Sequence, residues 1–164
     1  MRRITKNFVE SEFSVSASNP SLTTPPREWT PEERSRIHEI ARVMQQIRDG
    51  VGGPITITSG LRRPSLNRAV GGSSGSWHLT GRAVDFRPPS GKSSLDVLEW
   101  IMRHGVALAY DDVIAYVPAR GGHVHLAVDA SLTPRRRLRV AMPGGGIRAL
   151  ESVDLRDVAR AWGR

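Results

Sequence analysis

The sequence contains no cysteine, and this absence excludes disulfide bonds, a thiolate nucleophile and all thiolate metal sites. A metal ion in this protein would have to be bound by nitrogen and oxygen atoms of His, Asp and Glu. No apolar run approaches the roughly 20 residues that cross a membrane. The N-terminus is basic but lacks the apolar segment of a signal peptide, so we expect neither a membrane span nor an export signal.

Acidic residues are also few, since 16 Asp and Glu stand against 24 Lys and Arg, which gives a net charge of +8. This charge favours an anionic partner, and both nucleic acids and cell-wall polymers qualify. The basic run at residues 135–139 points to nucleic acid by charge alone. A solvated basic tail is the simpler explanation, so nucleic acid is not favoured. Nothing in the sequence indicates the oligomeric state.

The length of 164 residues and the hydrophobic fraction of 38% are those of one soluble domain. Residues 1–29 are predicted to form an irregular lead-in, which Phe8 and Phe13 anchor. Residues 30–132 are predicted to form the domain itself. Residues 133–164 follow as a basic, Gly-rich extension, with a helix predicted over residues 150–162.

Helical and alternating patterns together predict an α+β domain. The first helix begins at Thr30, which forms a capping box with Glu33, and it ends at Gly50. His38 lies off the apolar stripe of this helix and is predicted to face solvent. A second helix is predicted over residues 93–104, and strands over residues 54–60, 82–87, 112–117 and 123–128. We expect a small antiparallel sheet with the helices packed on one face and functional residues on the other.

Three histidines and one aspartate fall where strand geometry can gather them. Side chains alternate across a strand, so His123 and His125 share one face, and Asp85 faces away from its apolar neighbours. His78 precedes Asp85 by seven residues, directly after a Gly- and Ser-rich loop. His78, Asp85 and His125 would make a three-ligand shell that leaves the fourth tetrahedral position for water. This is the arrangement of a catalytic zinc site.

Each of these elements also has a simpler explanation. A His-x-His pair on a strand is common on protein surfaces, and Gly-rich loops are widespread. Asp85 could instead form an ion pair with Arg82 or Arg87. The order in which the elements occur together favours the metal site.

A longer series of motifs supports this interpretation. In chain order it reads Asn7-Phe8-x-x-Ser11-Glu12-Phe13, Thr58-Ser59-Gly60-Leu61-Arg62-Arg63-Pro64, Asn67, Val70-Gly71-Gly72-Ser73, Ser76-x-His78-x-x-Gly81-x-Ala83-x-Asp85 and His123-x-His125. This series resembles the zinc D-alanyl-D-alanine carboxypeptidases, a family that shares the hedgehog/DD-peptidase fold and includes phage endolysins. The resemblance covers roughly residues 7–128.

The resemblance implies a role for each matching residue. His78, Asp85 and His125 would bind one zinc ion per chain. Arg62 would bind the substrate carboxylate or the oxyanion, a task that suits its planar guanidinium. The residues expected to support the site are Ser76, Asn67 and Gly81.

One position departs from the family pattern. Many relatives carry a glutamate as general base three residues before the last zinc ligand, where this chain has Gly122. Related peptidases use the first His of a His-x-His pair instead, so His123 is expected to activate the water or stabilise the oxyanion. Asp111 or Asp112 remains an alternative base.

The activity that the resemblance implies is zinc-dependent cleavage of a peptide bond in peptidoglycan, in the stem peptide or the crossbridge. Without an export signal, such an enzyme would reach the wall from the host cytoplasm at lysis or from a virion, which indicates a phage protein. The alternative is a catalytically decayed, zinc-binding relative that acts as a cell-wall-binding or virion structural protein. The missing glutamate favours this alternative, and the retained ligands and Arg62 oppose it.

Overall fold

A computed structural model describes residues 2–117, 122–129, 133–142 and 145–150, together with Asp154, Arg156, Asp157 and Arg160. The α-helices in this part of the chain are α1 (Pro31–Val51), α2 (Pro64–Ala69) and α3 (Ser94–His104). The strands are β1 (Thr56–Ser59), β2 (Ala83–Arg87), β3 (Asp112–Tyr116), β4 (His123–Ala127), β5 (Arg137–Ala141) and β6 (Ile147–Ala149). Residues 118–121 of the predicted hairpin turn, and most of the helix predicted over 150–162, lie outside the described residues.

The longest helix, α1, begins as the sequence predicts and ends slightly later. The Thr30 hydroxyl accepts a hydrogen bond from the Glu33 N–H at 3.2 Å, and the Glu33 carboxylate accepts one from the Thr30 N–H at 2.9 Å. The helix passes Gly50 and ends where Gly52 adopts a left-handed conformation, with φ of 74°. Gly50 serves a different purpose, because a Cβ there would lie 1.8 Å from the ring of Trp100. Its glycine lets α3 pack closely against the end of α1.

The six strands form one sheet in the order β1-β2-β4-β3-β5-β6. All neighbouring pairs are antiparallel except β3 and β5, which are parallel. The chain leaves β4 next to the start of β3, crosses to the far side of β3 and enters β5 there. A single reversal of direction after β4 makes β5 parallel to β3. The predicted antiparallel sheet is therefore confirmed for β1 to β4, and the C-terminal strands make it a mixed sheet.

The two faces of the sheet differ as the alternation of residues predicts. Val84 and Phe86 of β2, and Val124 and Leu126 of β4, are each 0% exposed. They belong to a hydrophobic core that includes the buried faces of α1 and α3. The opposite face carries the polar residues of the same strands. The α+β class is confirmed, and none of the described helices is long and apolar enough to cross a membrane.

The N-terminal segment packs along the free edge of β1. Phe8 and Phe13 are each 1% exposed, and their rings meet edge to face with centroids 6.0 Å apart. Beyond them, Ser16 forms a β-bridge with Ser59, and the Ala17 N–H donates to the Thr58 carbonyl at 2.9 Å. The two phenylalanines are thus the predicted anchors, and the residues that follow them form a wall beside β1.

A buried carboxylate attaches the same segment to α1. Glu10 is 4% exposed and contacts both Arg34 and His38, with the His38 Nε2 2.9 Å from a Glu10 oxygen. The prediction that His38 faces solvent is wrong, because the N-terminal segment covers this side of the helix. Burial alone would raise the pKa of Glu10, but hydrogen bonds from Arg34 and His38 outweigh it, so the pKa is lowered.

This cluster should make stability depend on pH. A carboxyl group whose pKa is lowered in the folded protein contributes stability above its ordinary value, and this contribution is lost as the pH falls through the folded value. Urea unfolding at a series of pH values should therefore show a smaller acid-induced loss of unfolding free energy for Glu10→Gln than for the wild type. Glu39→Gln, a change on α1 outside the cluster, is the control. Equal losses for Glu10→Gln and the wild type would contradict the expectation.

The C-terminal extension joins the sheet through buried ion pairs. Asp111 and Asp112 are 1% and 5% exposed, and they contact Arg135, Arg137 and Arg139. Buried carboxylates are costly unless cations compensate them, so these arginines stabilise β5 beside β3. The predicted boundary at residue 132 thus falls within one continuous sheet.

Candidate metal centre

The predicted metal ligands meet on the polar face of the sheet. Asp85 of β2 and His125 of β4 are directly opposite each other in the antiparallel register. His78 lies in a short 3-10 helix, Trp77–Thr80, immediately before β2. Among the described residues, these three form the group of His, Asp and Glu side chains suited to binding a metal ion.

The distances between the ligand atoms match a metal shell. The Nε2 of His78 lies 3.2 Å from Oδ1 of Asp85 and 3.3 Å from Nδ1 of His125, and the latter two atoms are 2.8 Å apart. In a tetrahedral zinc site with bonds of about 2.0–2.2 Å, neighbouring ligand atoms are separated by about 3.3–3.6 Å. The observed triangle is close to one face of such a tetrahedron and slightly contracted along its shortest edge.

Hydrogen bonding shows which nitrogen of His78 is free to bind a metal ion. Its Nδ1 lies 2.8 Å from the carbonyl oxygen of Gly60, which can only accept, so Nδ1 carries the proton in the neutral ring. The lone pair of Nε2 then faces the carboxylate of Asp85 and the Nδ1 of His125. Three atoms with lone pairs directed at one point are best satisfied by a cation, and two nitrogens with one oxygen suit zinc.

Glycine at position 60 is required for this arrangement. A Cβ on Gly60 would lie 2.0 Å from the carbonyl oxygen of Phe13, so a larger residue would displace the N-terminal segment. The packed N-terminal segment and the orientation of His78 thus depend on the same residue. The sequence motif contained Gly60, but its carbonyl as a partner of His78 was not predicted.

Arg62 holds the second oxygen of Asp85. Its guanidinium donates to Oδ2 of Asp85 and, through Nε, to the Ser59 hydroxyl at 2.9 Å. The side chain of Arg62 is 11% exposed, and its backbone N–H also donates to the His78 carbonyl. Arg62 therefore orients Asp85 so that Oδ1 is left available to a metal ion. Its expected contact with substrate stays a prediction.

The electrostatics of the site favour deprotonated ligands. Burial lowers the pKa of His78, and the positive charge of Arg62 lowers it further. Burial opposes ionisation of Asp85, but hydrogen bonds from His125 and His78 outweigh this effect and hold its pKa well below the usual range. A neutral imidazole and an ionised carboxylate are the forms that bind a metal ion.

His123 lies on the same face as the ligands but outside the ligand triangle. Its ring stacks on Tyr116 of β3, with centroids 4.4 Å apart and planes 8° from parallel. Burial lowers the pKa of His123, and the positive charges of Arg62 and Arg87 act in the same direction. Tyr116 was not predicted to contribute to the site. The predicted pairing of two adjacent strands could have indicated it, because Tyr116 and His123 are cross-strand partners.

The residues expected to support the site lie before and after His78 in the chain. Asn67 is 3% exposed, and its amide donates to the carbonyls of Gly72 and Ser73, which shapes the Gly- and Ser-rich loop. Ser76 begins the 3-10 helix, without a side-chain cap, and Gly81 ends it in a left-handed conformation with φ of 72°. Asn67 and Gly81 thus shape the backbone on either side of His78, and the supporting role expected for Ser76 stays a prediction.

An open cavity of about 300 Å³ lies beside these residues, and we call it the metal cleft. Its lining includes Arg62, Asp85 and His123, with Thr58, Ser59, Val70 and Arg87, and residues 16–18 of the N-terminal segment as one wall. Asp111 and Asp112, the alternative bases, do not line it. They are bound to arginines of the extension.

The family model for peptidase M15 matches residues 6–127. The chain belongs to the peptidase M15 family. The match contains all three ligands of the candidate centre and both His123 and Arg62, and it ends where β4 ends. M15 peptidases depend on a metal ion, in agreement with the donor set of this M15 peptidase. No curated protein matches the chain.

Proposed function

We propose that this M15 peptidase binds one zinc ion through His78, Asp85 and His125 and cleaves a peptide bond in bacterial peptidoglycan. The observation that carries the proposal is the triangle of ligand atoms, 2.8–3.3 Å apart, at the edge of an open cleft. A buried structural metal would need no such access, whereas a peptidase must admit a polymer. The motifs shared with peptidoglycan peptidases support the substrate.

In the proposed mechanism, each residue around the metal cleft has a separate role. Zinc would supply Lewis-acid chemistry, which polarises a carbonyl and makes water more acidic. Gly60 and Arg62 keep His78 and Asp85 in the orientation that the metal requires. The imidazole of His123 accepts a proton from the attacking water and returns it to the leaving amine. The guanidinium of Arg62 adds positive charge where the oxyanion develops.

We further propose a role in phage lysis or as a virion-associated hydrolase. The resemblance of the motifs to those of phage endolysins supports this role. The competing function is that of a decayed relative that binds zinc and the cell wall without cutting it, and Gly122 at the usual glutamate position favours it.

Release of amino groups from purified peptidoglycan tests the proposed function. We expect the zinc-loaded protein to generate new amino groups with time and the chelated protein to generate none, because only the loaded protein can polarise the carbonyl. Mass spectrometry of the products would identify the bond. A protein that binds one zinc ion per chain yet releases no amino groups from any peptidoglycan would contradict the enzyme and support the decayed relative.

A further inference from the structure

A second row of side chains lies beside the metal ligands on the same face of the sheet. Arg87 follows Asp85 by two residues on β2, so both side chains point to the polar face. In this row, Arg87 pairs with Thr56 of β1 and lines the metal cleft together with His123 of β4. Two residues along a strand span about 6–7 Å, so this row begins about two substrate residues from the metal.

The two arginines of the metal cleft differ in burial and in whether an acidic side chain already binds them. Arg62 is mostly buried and bound to Asp85 and Ser59. Arg87 is exposed, and no acidic partner contacts it within the described part of the chain. An anion that enters the cleft can therefore pair with Arg87 without breaking an existing ion pair, whereas pairing with Arg62 would compete with Asp85.

Arg87 also lines a second cavity of about 390 Å³, which we call the α3 cavity. Its lining runs from Arg87 through Pro88, Pro89 and Lys92 to the first turn of α3, with Val117 and Gly122 opposite. Because Arg87 lines both cavities, the metal cleft and the α3 cavity adjoin at this residue. Lys92 adds a second positive charge, and no acidic residue lines the α3 cavity among the residues described.

We infer that the substrate chain passes from the metal cleft into the α3 cavity, where Arg87 binds a carboxylate of an acidic peptide within about two residues of the scissile bond. This inference rests on the proposed function. The carboxylate has two sources in a wall peptide, namely the free C-terminus and the α-carboxylate of a γ-linked glutamate. A planar guanidinium can bind either in a bidentate manner. Arg87 is thus a specificity-determining residue, distinct from the ligands and from His123.

Matched synthetic pentapeptides test the inference. One peptide, L-Ala-γ-D-Glu-L-Lys-D-Ala-D-Ala, carries both carboxylates, and two others are amidated at the C-terminus or at the glutamate. Binding to the zinc-loaded protein is measured by calorimetry, and cleavage by product analysis. We expect one of the two amidations to weaken binding by about tenfold, as for loss of one hydrogen-bonded charge pair. The amidation that does so identifies the source of the carboxylate.

The Arg87→Gln variant should bind the acidic peptide as weakly as the wild type binds the amidated peptide with the reduced affinity. Its KM should be raised, while its kcat and its zinc content should equal those of the wild type. Arg42→Gln, a change at an exposed position of α1, is the matched control. It should show the same differences in affinity among the three peptides as the wild type. Equal binding of all three peptides by the wild type, or undiminished discrimination by Arg87→Gln, would overturn the inference. The binding measurements test the role of Arg87 even if no peptide is cut. Absence of cleavage would count against the proposed function and not against the role of Arg87.

Discussion

Replacing His125 by alanine is expected to abolish both zinc binding and peptidoglycan hydrolysis. His125 supplies one corner of the ligand triangle, and its Nδ1 also approaches the carboxylate of Asp85 at 2.8 Å. The remaining two ligands cannot fill a tetrahedral shell that must also hold water and substrate. Metal analysis after gel filtration should show the zinc content fall from about one per chain to near zero, and amino-group release should fall to the background rate.

The matched control is His104→Ala. His104 is an exposed histidine of α3 that stacks on Trp100, remote from the ligands in the fold. It should retain its zinc and its activity, which separates loss of a ligand from loss of any histidine. Retention of stoichiometric zinc by His125→Ala would show that another donor set binds the metal, and the proposed centre would be wrong.

Replacing His123 by alanine should leave the metal in place and slow the reaction. If the imidazole transfers the proton, its loss should lower kcat by roughly 10²–10⁴-fold, the usual contribution of general acid–base catalysis. Zinc content should remain at about one per chain, because His123 lies outside the ligand triangle. Steady-state hydrolysis of a defined muropeptide, together with metal analysis, measures both quantities.

Folding of the His123→Ala protein has to be checked separately, since the ring stacks on Tyr116. A His123→Phe variant preserves an aromatic ring at this position but cannot transfer a proton. The two variants should be equally slow if proton transfer is the role of His123. Hydrolysis at the wild-type rate by either variant would exclude it, and recovery of activity in the phenylalanine variant would assign His123 a packing role.

The sequence predicted the parts of the fold that depend on local patterns. Alternation placed Asp85, His123 and His125 on one face, and the structure has this register with Val84 and Phe86 buried beneath. The capping box at Thr30 and Glu33 is likewise local. Such patterns reflect side-chain direction and hydrogen bonding within a few residues, so they can be read without a tertiary structure.

Contacts between distant segments could not be predicted in this way. The contact between Glu10 and His38 joins residues that are 28 positions apart in the sequence. The hydrogen bond from His78 to the Gly60 carbonyl and the contact of Arg62 with Asp85 depend on how β1 and the following turn approach β2. The cluster of His78, Asp85 and His125 could be predicted because metal chemistry restricts the residue types that bind an ion. The hydrogen-bond partners of these residues could not, because packing decides them.

Because β5 pairs with β3, the part of the chain that folds together is longer than the part that the family model matches. The family match stops at residue 127, yet Asp111 and Asp112 within it depend on arginines beyond it for charge compensation. Arg135 additionally packs its guanidinium over the ring of Trp77, the neighbour of His78, with 4.7 Å to the ring centroid. A domain exchange that transplants only the matched residues would carry two uncompensated buried acids and an unpaired edge on β3. For recombination with other domains, the segment that has to be exchanged extends at least to the end of β5.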